Sequence, residues 1–69
     1  MNAMAAIRLK VFRVSQNEMA RIAGVSQSTV SKWEAGSQIP LATALRNIRS
    51  EAMRRHVPWD DKWFFLEEA

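Results

Sequence analysis

Gln16-Asn17-Glu18-Met19-Ala20-Arg21-Ile22-Ala23-Gly24-Val25-Ser26-Gln27-Ser28-Thr29-Val30-Ser31-Lys32-Trp33-Glu34-Ala35 is the stretch that decides the fold. Just before it, Ser15 forms a capping box with Glu18. The Ser15 hydroxyl accepts from the amide three residues on, and Glu18 reaches back. A helix therefore starts near Gln16 and runs to Ala23, with Met19, Ile22 and Ala23 turned inward. Gly24 stops it, because glycine accepts the left-handed conformation that ends helices. Ser26 caps a second helix, from Gln27 to about Ala35, which Gly36 closes. Ala20 is small where the second helix crosses the first, and Val25, Val30 and Trp33 anchor that second helix in the core. At about 100° per residue, Ser28, Ser31, Lys32 and Ala35 point away from Val30 and Trp33, and Gln27 projects from the exposed N-terminal end.

The flanks extend this all-helical pattern. Met4, Ile7 and Val11 fall on one face of a helix covering about Ala3 to Arg13, with Arg8, Lys10 and Arg13 around the rest. Pro40 is placed to open a fourth helix, with Leu41, Ala44, Leu45, Ile48 and Ala52 as its apolar stripe. Pro58 ends what remains after Arg55, and Asp60 or Asp61 caps a last short helix from Lys62 to Glu67. Val, Ile and Thr do not alternate with polar residues, so strands are not expected. The expectation is an all-α bundle of four or five helices in one domain, residues 1–69, with a two-helix core at 16–35 and an aromatic segment at 57–69.

A chain of 69 residues is marginal alone, since so small a core supplies about 3–5 kcal/mol. It has no cysteine for a disulfide or a thiolate metal site, and its one histidine cannot hold zinc by itself. Dimerisation is the staple left. Residues 1–55 carry nine basic side chains against Glu18, Glu34 and Glu51, whereas residues 56–69 carry Lys62 against Asp60, Asp61, Glu67 and Glu68. A basic body suits a polyanion, though a solvated surface rich in arginine would look the same. No apolar run approaches the roughly 20 residues that span a bilayer. Met1 to Ala6 is too short for a signal peptide and is followed by Arg8. The expectation is a cytoplasmic protein with no membrane partner.

Two helices joined by a short glycine-containing turn, with the second set in the major groove, form a DNA-reading unit. The outward side of 27–35 fits that use. Gln27, Ser28, Ser31 and Lys32 are polar and acid-free, whereas an ordinary solvated face would more often carry Glu with Lys. Gln27 can pair with adenine N6 and N7, Lys32 can reach guanine O6/N7 or a phosphate, and Ser28 and Ser31 can bond either kind of base.

Ser15-Gln16-x-x-Met19-Ala20-x-x-Ala23-Gly24-Val25-Ser26-x-x-x-Val30-Ser31-x-Trp33-Glu34-x-Gly36-x-x-x-Pro40 resembles the signature of the phage Cro/repressor (Xre-type) helix-turn-helix family. The resemblance covers residues 9 to 48 and includes spacing, caps and both glycines. It implies a lambda-repressor-like DNA-binding domain, with Gln27, Ser28 and Lys32 reading bases and Ser31 assisting. It also implies that Gln16 binds a phosphate and braces the first base-reading side chain, and that Ser15, Ser37 and Gln38 contact phosphates. Two departures stand out. The family has a glycine before the hydrophobic residue that precedes the helix 2 cap. Here Arg13 runs directly into Val14, one residue shorter, which implies a different angle for helix 1. The loop Gly36-Ser37-Gln38-Ile39 is neutral, so phosphate attraction falls to Arg8, Lys10, Arg13, Arg46 or Arg49. Glu34 matches a structural position that pairs with a basic residue of helix 1, and Lys10 is the expected partner.

Trp59, Trp63, Phe64, Phe65 and Leu66 exceed what a short tail buries on one small core. Trp59, Trp63, Phe64 and Phe65 are therefore assigned to a homodimer interface, with Trp59 and Trp63 partly in the core and Phe64 or Phe65 meeting the partner; aromatic residues are enriched at interfaces, and the alternative is that all of them cap the monomer's own core. No enzyme is expected. Asp60 and Asp61 are adjacent and do not converge on one point, His56 has no catalytic partner near it in sequence, and no phosphate-cradling glycine loop occurs. No cofactor is implied. The function expected is a transcriptional regulator, a repressor, on a two-fold operator in double-stranded DNA. The alternatives are a protein-interaction adaptor that borrows the fold and uses the aromatic tail, and the DNA-binding antitoxin of a toxin–antitoxin pair.

Overall fold

Asn2 opens the first helix. Its side chain accepts from the Ala5 amide, the N-cap bond that an orphan first-turn donor requires. The computed structural model describes residues 2–65. Helix α1 (Ala3–Ala6) continues without a break as a wider, π-helical segment (Ile7–Phe12). α2 spans Gln16–Ala23, α3 Gln27–Ala35 and α4 Ala42–Arg54, and a 3₁₀ turn covers Asp61–Phe65. The architecture is all-α, with no strand among the described residues.

The widened turn resolves the junction before α2. Arg8 O accepts from the amides of both Arg13 and Val14, and Arg8 Nη1 donates to Val14 O at 3.0 Å. Arg13 itself takes the left-handed conformation, φ 57°, in the place where a glycine would sit. The expected one-residue shortfall is thus corrected: nothing is missing, and a non-glycine residue carries the strain. The wide turn leaves both Ile7 and Phe12 buried.

Ile7, Phe12, Met19, Val30, Trp33 and Ile48 fill the core, and Ala20, Ala23, Ala44 and Ala52 lie buried among them, their small side chains suiting close approach between helices. The Trp33 Nε1 is sealed from solvent and finds no acceptor among the described residues. Val11, Ile22, Val25 and Leu45 are half-buried against this core. Leu41 departs from its expected place in the α4 stripe: it is 74% exposed. It is the N-cap residue of α4, so it precedes the helical turn that would carry it inward, and Pro40 stands one residue outside the helix rather than in its first turn.

Gly24 ends α2 at φ 78° and Gly36 ends α3 at φ 81°. At Gly24 a Cβ would also come within 3.2 Å of Asn47 Nδ2. That amide donates to Ala23 O at 3.0 Å, so α4 holds the turn between the two helices. His56, also left-handed at φ 58°, ends α4 before Pro58 is reached. Asp60 is the residue that caps the 3₁₀ turn, through Oδ1 to the Lys62 amide. That turn replaces the expected helix Lys62 to Glu67, of which residues 66 and 67 lie outside the described residues.

Candidate nucleic-acid interface

α2 and α3 meet through their small and apolar residues, leaving the opposite side of α3 to solvent. Gln27, Ser28, Ser31, Lys32 and Ala35 are all exposed. Periodicity alone placed them there. The α3 cap is a small hydroxyl cluster: Ser26 Oγ accepts from the Thr29 amide at 3.2 Å and lies 3.1 Å from Ser28 Oγ. Ser28 is therefore oriented by the cap rather than free to rotate.

Behind this face runs a chain of polar contacts. Arg8 Nε donates to Glu34 Oε2 at 2.6 Å and Nη2 to Oε1 at 3.0 Å, a two-point grip on the carboxylate. Gln16 Nε2 donates to Glu34 Oε1 at 3.2 Å. Gln27 Nε2 in turn donates to Gln16 Oε1 at 2.6 Å. The Arg8 guanidinium, helped by Gln16, holds the Glu34 carboxyl below the usual carboxylate range, against the opposing effect of burial. Arg8, not Lys10, is thus the helix 1 partner of Glu34. The partner lies two residues nearer the N-terminus than the shortened junction implied, because Arg13 occupies the glycine position. With its side chain 14% exposed and committed to Glu34 and Val14, Arg8 is withdrawn from the phosphate-binding candidates.

Asn2 adds a second clamp that sequence reasoning missed. Its Nδ2 donates to Trp33 O at 2.8 Å and Glu34 O at 3.0 Å, satisfying carbonyls at the end of α3. An asparagine just before an apolar run signals a helix start, but the bond to a residue about thirty positions away leaves no local trace.

The residues expected to contact phosphates lie on several elements. Ser15 caps α2, its Oγ accepting from the Glu18 amide at 3.1 Å. The other half of the expected capping box is not made, because the Glu18 carboxylate turns to Arg21 and lies 3.8 Å from Arg55. Arg13 is exposed and Gln16 half-buried. Ser37 and Gln38 are exposed in the loop after α3, where the Ser37 amide and hydroxyl both donate to Lys32 O. Arg46 is exposed on α4, and Arg49 pairs with Asp61 at 3.1 Å. The Asp61 carboxyl is lowered first by the Trp59 indole N–H and then by Arg49.

The aromatic segment splits in two. Trp59 stacks near Phe12 (6.3 Å), Trp63 (5.5 Å) and Phe64 (5.0 Å), all tilted or edge-on, and these three tail residues are half-buried on the chain's own core. Phe65 is 77% exposed, as is Ile39 at 84%. Among the described residues, no group of three His, Cys, Asp or Glu side chains could hold a metal ion, and no helix is long and apolar enough to cross a membrane.

A capped two-helix unit on an alanine-rich crossing, with an acid-free polar row facing out, defines a helix-turn-helix DNA-binding domain. Compared with known families, residues 9–49 match the helix-turn-helix family, more than half of the chain, and the chain belongs to its Cro/repressor (Xre) type. That family is one of DNA-binding regulators and is not enzymatic. No curated protein and no solved structure matches the chain.

Proposed function

We propose that this chain is a sequence-specific regulator of transcription, a repressor, that lays α3 in the major groove of a palindromic operator. The observation that carries this reading is the exposed row Gln27, Ser28, Ser31 and Lys32 on a helix fixed at both ends. Ser26 caps its start, Asn2 binds its last carbonyls, and Gln16 braces Gln27. Rigid presentation matters because base pairing by side chains depends on bidentate geometry. Ser15, Gln16, Arg13, Ser37 and Gln38 contact the flanking phosphates and set the register, which carries no sequence information of its own.

The reading includes a homodimer. Phe65, Ile39 and Leu41 are large, apolar and mostly exposed. Phe65 stands between a groove of about 240 Å³ that includes Ala42, Leu45 and Arg46 and a second of about 420 Å³ that includes Ile39 and Pro40. A projecting side chain beside a groove can be matched by the same pair on a two-fold-related copy. Trp59, Trp63 and Phe64 pack on the chain's own core, and Phe65, the last described residue, meets the partner. Half-sites then lie about one helical turn, ~10 bp, apart.

Selection of tight binders from a random duplex pool tests this. The expected product is a palindrome. A lone enriched half-site removes the dimer and keeps the groove reading. Binding that is salt-sensitive but unselective overturns the base-reading assignment of Gln27 and Ser28.

A further inference from the structure

We propose that Glu34 is a positioning residue for base reading: an acceptor-only group, it fixes the donor–acceptor direction of Gln16 and, through Gln16, of Gln27. The inference rests on the reading above that Gln27 faces a base.

A glutamine side chain ends in a donor and an acceptor of nearly equal size on a soft, roughly two-fold torsion. An exposed glutamine can therefore offer either end to a partner. Here the choice is made two contacts away, at Glu34. Arg8 keeps Glu34 ionised, and an ionised carboxylate has no proton to give. Gln16 must point Nε2 at Glu34 Oε1, 3.2 Å away, so its Oε1 faces α3. Gln27 then has one way to meet it, with Nε2 donating at 2.6 Å. This leaves the second Nε2 hydrogen and the Gln27 Oε1 in a fixed order. Adenine offers an N6 donor and an N7 acceptor in the major groove, the complement of that order. Were Gln16 turned over, Gln27 would present Oε1 to it, its outward donor and acceptor would exchange places, and the match to adenine would be lost.

The test compares half-site duplexes that differ only at the base position whose preference Gln27→Ala abolishes. Glu34→Gln can donate to Gln16, so the relay can run in either direction. The preference at that position, expected at about 5- to 150-fold for a good bidentate pair, should fall toward the level of Gln27→Ala while other positions keep theirs. Glu34→Gln combined with Gln16→Glu moves the acceptor-only group one step along and should restore the preference ratio, although the added carboxylate weakens overall affinity. Full preference retained in Glu34→Gln, or no recovery in the double variant, overturns the proposal. If Gln27→Ala relaxes one position and Glu34→Gln does not, the relay fails and base reading stands. If Gln27→Ala changes no position, base reading by Gln27 fails and takes the proposal with it. A second measurement avoids any variant at residue 34. In the DNA-free protein, NMR should show one Gln27 side-chain amide proton shifted and protected relative to those of exposed Gln38, and Gln16→Met should abolish the difference. Gln27 amide protons as free as those of Gln38 in the unaltered protein also overturn it.

Discussion

Arg8 and Glu34 are joined by two parallel contacts, 2.6 and 3.0 Å long, between side chains only 14% and 12% exposed. The same guanidinium reaches Val14 O, so one side chain ties the π-helical segment, the approach to α2 and the end of α3 together. Removing the guanidinium leaves a largely buried carboxylate unpaired. Arg8→Met should therefore cost about 3 kcal/mol, a large share of the roughly 3–5 kcal/mol available to so small a core. Arg8→Lys should recover only part, since an ammonium cannot span both oxygens and the Val14 carbonyl. Urea titrations of the three proteins measure both steps; a variant at residue 8 that unfolds like the parent contradicts the assignment.

The same pair sets an acid limit. Glu34 has a folded pKa below its ordinary 4.5, so the stability it contributes is complete above 4.5 and is lost as pH falls through the folded value. Glu51, held at about 2 by Arg54 and then Arg55, adds to the same trend but lies on the surface, where salt screens it. Unfolding midpoints should fall as the solution is acidified below pH 4.5. In high salt the part due to Glu51 fades and the part due to Glu34 persists. Arg8→Met should show a flatter profile over that window, and an unchanged slope would assign the acid sensitivity to other carboxylates.

Arg13 separates stability from binding. Its left-handed φ of 57° costs a non-glycine residue about 1–2 kcal/mol, and glycine returns roughly half of that as chain entropy in the unfolded state. Arg13→Gly should stabilise the fold by about 0.5–1 kcal/mol. If Arg13 neutralises a phosphate, the same change should reduce the magnitude of the salt slope of DNA binding by about 0.9. Thermal melts and affinity at several salt concentrations read the two effects separately, and a raised melting point with an unaltered slope would remove Arg13 from the phosphate set.

The two helices around Gly24 were legible because every signal for them is local. Ser15, Ser26, Gly24 and Gly36 each act within four residues, and the outward row of α3 follows from its period alone. What escaped was carried by contacts between distant parts of the chain. Asn2 on the α3 carbonyls, Asn47 on Ala23 O and Arg8 on Glu34 span from about twenty to about thirty residues. Lys10 was favoured over Arg8 because spacing was counted as if the glycine were absent. The π-helical turn that leads into the left-handed Arg13 has no compositional mark in Ile7–Phe12. Leu41 looked like a stripe residue because periodicity does not show that the helix starts at Ala42, two residues after Pro40.

Gly24 and Gly36 share a left-handed backbone and differ in surroundings. A Cβ at Gly36 meets nothing within 4 Å, whereas at Gly24 it meets Asn47 Nδ2 at 3.2 Å. Gly36→Ala should cost about 1 kcal/mol from backbone strain alone. Gly24→Ala should cost more, because the amide that bonds Ala23 O must also move. In the Asn47→Ala background the excess should shrink, since the obstructing amide is gone. A double-mutant cycle by chemical denaturation gives that coupling directly, and a coupling of zero means that Asn47 yields freely.

The tail residues differ in the same way, by what they touch. Trp59 packs on Phe12, Trp63 and Phe64 and donates from Nε1 to Asp61 Oδ1 at 2.8 Å, so Trp59→Ala should destabilise the monomer by about 3 kcal/mol. Phe65 and Ile39 are exposed and carry little of the monomer's packing. Changing both to serine should shift unfolding by no more than about 0.5 kcal/mol when measured on monomeric protein at low concentration. At high concentration the same double variant should sediment as a monomer where the parent sediments as a dimer. Its affinity for a palindrome should drop to that for one half-site, with the base preferences of α3 intact. A variant that stays dimeric moves the interface off this surface. A parent that is monomeric at every concentration, and binds single half-sites as tightly as palindromes, removes the dimer from the function altogether.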